Sequence, residues 1–377
     1  MIDDLAIDLF VTKQGTKRHW ADTIGHNSIT QKASAMIRFL FCIVILAYAG
    51  AANAQERDMN TALQVAFARG ELRGLHGVYA EYKGQTIADV YFRGADQNWG
   101  TKLPVRDHGP DTLHDLRSIS KSITSLLYGI ALDRGLVPPV SESLIAQFPQ
   151  YPDLANDIAR RSITIEDALT MQMGIQWSED LPYTDPRNSE IAMELSDDRY
   201  HFVLSRPMTG TPGKTWVYNG GATALVAAII ERGTGMRLEQ FADEALFAPL
   251  GITSFEWAKG RDGIAAAASG LRLSARALAT IGRMIKADGL HDGQRIVSQA
   301  WLSASRTPRT RTAVGLRYGY FWWLKDKGAY SAEGIFGQLI YINPSENLII
   351  ATQSAWPVAW DDKHPAQQDA FINEVND

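Results

Sequence analysis

Arg117-Ser118-Ile119-Ser120-Lys121-Ser122 holds a Ser-x-x-Lys spacing found nowhere else in the chain. It opens an apolar, helix-patterned run from Ile123 to Leu136. Residues three apart share a helix face, so Ser118 Oγ and the Lys121 amine can meet. A serine hydroxyl is a poor nucleophile until a neighbouring base takes its proton. A lysine can be that base if burial or nearby positive charge lowers its pKa. The helix N-terminus adds free N–H groups and positive potential, which suit a developing oxyanion. Read alone, the same residues also fit a serine-rich helix start with an exposed lysine.

Two further stretches carry chemistry. Pro212-Gly213-Lys214-Thr215-Trp216-Val217-Tyr218-Asn219-Gly220-Gly221 sets a tyrosine just before a glycine pair and a helix. A phenol beside a lysine ammonium has a lowered pKa and can relay protons. Read alone, Tyr218 is equally a turn residue closing the core. Glu333-Gly334-Ile335-Phe336-Gly337-Gln338 is expected at the start of a strand, where glycines permit close backbone approach to a ligand or form a bulge. No H-E-x-x-H or similar spacing is present, so neither metal nor cofactor is expected.

The elements that must position these residues read as follows. Asp58 to Leu72 is an amphipathic helix. His76–Tyr82 and Thr86–Phe92 form a hairpin about Lys83-Gly84. Gly94 to Pro110 is loop-like, and Gly135 closes the Ser118 helix. From about 138 to 251 the pattern is mostly helical. Thr164 to Asp167 is a capping box whose helix ends at Gly174, and Ala222 to Arg232 is a helix ended by Gly233. Ser178 to Pro186 is a polar, aromatic flap. Leu271 to Ala287 is a helix; Tyr318–Leu324, Ile335–Ile342 and Leu348–Gln353 are strands. Strands at both ends and helices between imply an α+β fold, one sheet built from both ends around a helical insert.

Composition sets the class. The 377 residues are 45% hydrophobic and 21% charged with net charge −5, an ordinary globular balance. No basic block points to nucleic acid. Met36-Ile37-Arg38, the apolar run Phe39 to Ala49, and Ala52-Asn53-Ala54 read as a signal peptide over 36–54, cleaved after Ala54. The run is short for a membrane anchor, which takes about 20 residues. Residues 1–35 read as an upstream extension ahead of a true start at Met36, and 55–377 as the mature domain. Cys42, the single cysteine, lies in the signal, so disulfides and thiolate chemistry are excluded from the mature chain. A periplasmic or secreted bacterial protein follows.

Ser-x-x-Lys, then the tyrosine motif, then the glycine-bearing strand, in this order, resembles the serine β-lactamase and penicillin-binding protein superfamily. Ile163 to Met171, Pro212 to Tyr218 and Leu271 to Arg276 add to the likeness, which spans roughly residues 60–355. Within it the chain is similar to class C-like esterases and 6-aminohexanoate-dimer hydrolases, on Gly334-Ile335-Phe336-Gly337-Gln338 and the flap segment Tyr183-Thr184-Asp185-Pro186. The resemblance implies a transpeptidase-like fold, an antiparallel sheet flanked by helices plus a mostly helical inserted domain. It implies an acyl-enzyme on Ser118, with Lys121 and Tyr218 sharing the proton work. The Ser118 and Ile335 N–H groups would form the oxyanion hole, each donor contributing roughly 3 kcal/mol. Gly334, Asn219 and Tyr183 are the further candidates for contact with a small ester or amide.

Two departures narrow the substrate. The second motif ends in Gly220 where the family has Asn or Ser. Ala332 and Glu333 stand where β-lactamases carry Lys or His and Thr to hold a substrate carboxylate. A neutral or amine-bearing ester or linear amide is therefore expected. A cell-wall D,D-peptidase or β-lactamase is the alternative, and a binding protein with a dead site is the alternative of another class.

Overall fold

The computed structural model describes residues 52–355 except 73 and 314, with side chains from Met59 onward. The upstream extension and signal peptide lie outside the described residues, apart from helical backbone at Ala52–Ala54. The main sheet has eight strands: β1 (Leu75–Tyr82), β2 (Gln85–Tyr91), β3 (Thr310–Arg311), β4 (Arg317–Tyr318), β5 (Trp323–Leu324), β6 (Tyr330–Gly334), β7 (Gln338–Asn343) and β8 (Leu348–Ser354). Their order is β3-β4-β5-β6-β7-β8-β1-β2, and neighbours run antiparallel throughout. The sheet is thus closed between the two ends of the described chain, as its sequence pattern implies.

Four helices matter most: α1 (Ala52–Ala68), α2 (Ile119–Asp133), α3 (Gly220–Thr234) and α4 (Ala275–Lys286). Side chains alternate across a strand, which sorts β7 and β8 by face. Leu339, Tyr341, Leu348 and Ile350 pack with Val78, Ala80 and the α1 residues Met59 and Leu63. Ile340, Ile342 and Ala351 face the opposite core, which holds Leu278 and Ile281 of α4 and most of α2. With both faces covered, these strands read as continuous apolar runs. Helix α2 is buried from Ile119 through Ala131, so it is covered on every side by the rest of the chain.

Several elements differ from expectation, each for an identifiable reason. The stretch read as loop after Phe92 contains a hairpin, Arg93–Asn98 against Thr101–Asp107, turning at Trp99-Gly100 with φ of 49° and 85°. Its strands are polar, so they carry no apolar alternation. Leu271–Leu273 is a short strand pairing with His114–Asp115, and α4 starts only after the Ser274 cap. Helix α3 runs past Gly233 to a left-handed Gly235. Gly233 is a packing glycine instead: a Cβ there would stand 2.1 Å from the Leu136 carbonyl oxygen. The capping box forms as expected, with Asp167 accepting from the Thr164 N–H at 2.8 Å, but its helix stops at Leu169, short of Gly174. Tyr318–Leu324 is broken into β4 and β5 at Phe321, where φ is 60°.

Candidate active site

Arg117, the residue entering α2, holds a φ of 51°, sparsely populated by any residue with a Cβ. Its guanidinium is tied to Asp115 at 3.0 Å and lies over the rings of Trp99 and Phe336. Ser118 occupies the N-cap position yet its side chain accepts no cap hydrogen bond. The hydroxyl is left to the cleft. There Lys121 Nζ donates to Ser118 Oγ at 3.3 Å and to the Ala268 carbonyl at 3.0 Å. The Tyr218 phenol lies beside both residues: its ring centre is 4.8 Å from Lys121 Nζ, and it interacts electrostatically with Ser118 and Lys121. The three residues named from spacing meet at one point.

Lys121 does not have the lowered pKa expected of a free base. Burial pushes it down, but the Glu190 carboxylate, Tyr218 and Glu179 more than offset this and hold the ammonium above its usual range. Tyr218 is also raised, by burial first, with Lys121 pulling the other way. Glu190 Oε2 stands 3.5 Å from Lys121 Nζ, and Ser269 Oγ donates to Glu190 Oε1. Both ends of the ion pair are almost wholly buried.

The substitution at Gly220 has a counterpart in space. A Cβ on Gly220 would lie 2.3 Å from Glu190 Oε2 and 2.8 Å from its Cδ. The Glu190 carboxylate thus fills the volume just outside the Gly220 backbone and faces Lys121 from there. Asn219 is not brought into the cleft: its side chain caps α3, accepting from the Ala222 N–H at 3.0 Å, and is buried. Tyr183 is brought close. Its hydroxyl donates to Glu179 Oε2 at 2.7 Å, while Glu179 Oε1 accepts from the Trp177 indole at 2.7 Å and the Gly220 N–H at 2.6 Å. Burial, then the nearby Glu190, pushes the Glu179 carboxyl up to about 7.

Gly334 and Ile335 sit at the end of β6 and in the turn to β7, not at a strand start. A Cβ on Gly334 would meet the Leu116 carbonyl at 2.2 Å, so glycine lets β6 lie against the segment that leads into Ser118. Phe336 and Gly337 then turn the chain with φ of 72° and 91°. Ala332 is fully buried, and Glu333 accepts from Ser331 Oγ at 2.7 Å and pairs with Lys325 at 2.5 Å. Neither offers a cation to a substrate carboxylate. Trp216, Tyr218, Tyr318 and Trp323 form a cluster of mutually packed rings beside the phenol.

Sequence reasoning missed Glu179, Glu190 and Arg117. Glu190 lies two residues after Asn188, the N-cap of Ser189–Glu194, a position where an acid commonly serves only the helix start. No sequence spacing ties it to Lys121.

Known proteins share this fold. The family model described as Beta-lactamase matches residues 68–373. The 6-aminohexanoate-dimer hydrolase of Paenarthrobacter ureafaciens is 28% identical over 281 residues, covering 66% of this chain and 67% of that one. A family VIII carboxylesterase superposes with a TM-score of 0.62 at 15% identity, over 87% of this chain and 98% of the other. The octameric penicillin-binding protein homologue from Pyrococcus abyssi does so with a TM-score of 0.61 at 17% identity, over 84% and 76%. An antiparallel sheet flanked by helices, a serine entering a buried helix and a family match over most of the chain lead to one conclusion: this chain belongs to the Beta-lactamase family, within the serine hydrolases of the β-lactamase and penicillin-binding protein superfamily.

Proposed function

We propose that the protein hydrolyses a neutral or amine-bearing ester or linear amide through an acyl-enzyme on Ser118. The observation that carries this reading is the meeting of Ser118 Oγ, the Lys121 ammonium and the Tyr218 phenol at one point. Lys121 donates to the serine oxygen, which leaves the serine proton free to pass to Tyr218. The raised pKa values of both partners favour a relay over a free base. Ser118 Oγ bonds to the acyl carbon, its proton passes to the Tyr218 oxygen, and the Tyr218 proton passes to the leaving group as its bond to the acyl carbon breaks. No free phenolate is needed. Lys121 remains an ammonium that orients Ser118 and stabilises negative charge as it develops. Water then cleaves the ester by the same relay. The Ser118 and Ile335 N–H groups serve as the oxyanion hole in this scheme.

With Ala332 apolar and Lys325 already paired to Glu333, substrates without a carboxylate near the scissile bond are favoured, and the aromatic cluster favours an apolar acyl or alcohol part. The match to a hydrolase named for a linear amide places that amide class in the test panel. The leader-like run over 36–54 supports export, to the periplasm or beyond. Among the described residues no helix is long and apolar enough to cross a membrane.

The test is hydrolysis of p-nitrophenyl butyrate, 6-aminohexanoate dimer and nitrocefin by the protein and its Ser118→Ala variant. Ester or linear amide turnover that falls by a factor on the order of 10³ or more in the variant supports the reading. Turnover of nitrocefin alone would favour the β-lactamase alternative. No turnover, with no labelling of Ser118 by a fluorophosphonate, would favour a binding role.

A further inference from the structure

Four residues before the nucleophile, the fold assembles a second polar cluster that the hydrolytic site does not use. His76 comes from β1, Asp96 from the strand Arg93–Asn98, and His114 from the strand His114–Asp115. One ligand-type atom from each lies within 4.8 Å of the others, and all three side chains are buried. His76 Nδ1 is 2.9 Å from His114 Nε2, and His114 Nε2 is 3.2 Å from Asp96 Oδ1. Spacings of twenty and eighteen residues made the group invisible as a motif.

The hydrogen-bond chemistry of this cluster does not close on itself. His114 Nδ1 lies 3.2 Å from the Asp115 carbonyl, which only accepts. If Nδ1 carries the proton, the Nε2 lone pair faces the Asp96 carboxylate. If Nε2 carries it, the Nδ1 lone pair faces the carbonyl. In the first case His76 Nδ1–H can donate to His114 Nε2 at 2.9 Å, but Asp96 Oδ1 still faces that nitrogen at 3.2 Å, so either neutral tautomer leaves one acceptor against another, in a buried site where such contacts are costly. A cation at the meeting point resolves the conflict. Nδ1–H then donates to Asp115, the usual outer partner of a metal-bound histidine, and three lone pairs converge from His76 Nδ1, His114 Nε2 and Asp96 Oδ1.

Asp96 is held for that task. Arg106 takes Asp96 Oδ2 at 2.5 Å, and the Gln97 N–H takes Oδ1 at 2.8 Å, leaving Oδ1 aimed at His114. Tetrahedral ligands about 2.0–2.2 Å from a zinc ion stand about 3.3 Å apart, so the two spacings to His114 need to open by only a few tenths of an ångström, while His76 and Asp96, within 4.8 Å of each other, adjust to the same distance. His108 stacks on His76 at 3.9 Å between ring centres, is buried, and has both ring nitrogens without a hydrogen-bond partner. It is the candidate for a fourth position.

We propose that His76, Asp96 and His114, with His108 in reserve, form a structural binding site for a divalent transition-metal ion of the zinc class. Imidazole and carboxylate donors suit that class, and a site closed to solvent suits a structural ion. The ion would tie β1, the Arg93–Asp107 hairpin and the strand entering the nucleophile into one unit. Asp115, next to His114, already holds Arg117 and Arg272 at 3.0 and 2.9 Å, so the tie lies directly behind Ser118.

The experiment uses the full-length protein, stripped with a chelator and titrated with Co²⁺ as the spectroscopic probe. The expected result is a visible d–d band that saturates at about one equivalent, is displaced by Zn²⁺, and comes with a rise in melting temperature. Ser118→Ala should keep the band, which separates this site from the hydrolytic one. Asp96→Asn should weaken binding at least tenfold, and His114→Gln should abolish it. His108→Ala should alter the band if it supplies the fourth ligand and leave it unchanged if water does. Wild-type protein that is folded by circular dichroism but gives no band and no thermal shift with Co²⁺ or Zn²⁺ would overturn the proposal. A proton shared by His114 and Asp96 would then be the cation that closes the cluster. Because the wild-type titration decides, variants that fail to fold do not rescue the idea.

Discussion

Ser118 and His114 lie one turn of chain apart, and the polar groups around them follow opposite rules. Around Ser118 the buried polar groups find partners among the chain's own residues: Lys121 faces Glu190 and a carbonyl, Glu190 receives Ser269, and Glu179 receives three donors. Around His114 either neutral tautomer leaves a lone pair against an acceptor, at Asp96 or at the Asp115 carbonyl. The first cluster is closed by the chain's own residues. The second is closed only by something added, whether proton or metal ion. Buried polarity of similar appearance can therefore be complete within the chain in one place and open to an added ion in another. Donor and acceptor accounting tells them apart, and burial does not.

The comparison can be broken most forcefully at Lys121. Lys121→Met should abolish hydrolysis and, by stranding the buried Glu190 carboxylate, lower stability by about 3–5 kcal/mol in denaturant unfolding. Adding Glu190→Gln to that variant should recover much of the stability and none of the activity. If the double variant is no more stable than Lys121→Met, the two charges are not a closed pair. Gly220→Asn restores the family residue but drives a Cβ into Glu190. Its kcat should fall at least tenfold, and pairing it with Glu190→Ala should return part of the loss. No recovery would mean that Glu190 does not stand in for the missing side chain.

Glu190→Gln alone should be milder than either. The amide keeps the Ser269 contact but releases the hold on the ammonium, so the Lys121 pKa should drop and the alkaline limb of the pH–rate profile should move to lower pH. An unmoved limb would remove Glu190 from the account. The smallest effect belongs to Glu179. Its folded pKa, about 7, exceeds the ordinary glutamate value near 4.5, so the folded state binds the proton more tightly. The stability it contributes is present below about pH 4.5 and is lost as pH rises through 7. Glu179→Gln should flatten that decline by about a few degrees of melting temperature, with Glu194→Gln as the parallel control, since burial also raises Glu194 to about 7.

Much of this architecture was legible because its signals are local. The Ser118–Lys121 pairing follows from helix geometry, and the β1–β2 hairpin follows from Lys83-Gly84, whose φ values of 50° and 78° fit a type I′ turn. Tyr218 was legible from the turn and glycines around it. What escaped notice depends on tertiary partners. The Arg93–Asp107 hairpin is polar because Asp96 is buried against Arg106 and histidines rather than against a core. Leu271–Leu273 became a strand because His114–Asp115 lies beside it, and only the Ser274 cap marks where α4 begins. Glu190 reads as a surface acid until the fold buries it under Lys121. Asn219, taken as a substrate contact from its place beside Tyr218, proved to be the cap of α3.

The sheet has a last consequence, for when the protein can fold. Strand β1 lies between the edge strand β2 and β8, and Ser354 Oγ donates to the Gly74 carbonyl across 280 positions of sequence. A nascent chain can form the β1–β2 hairpin early, but the other edge of β1 stays open until β8 has been made. Pairings this distant fold slowly, because the loop between them must close before they contribute. The exposed edge of β1 is also a site for wrong pairing in the meantime. Synthesis therefore delivers an unfinished sheet, and completion is a single late event set by the C-terminal strands. A truncation ahead of Leu348 would cost the whole sheet rather than one of its strands.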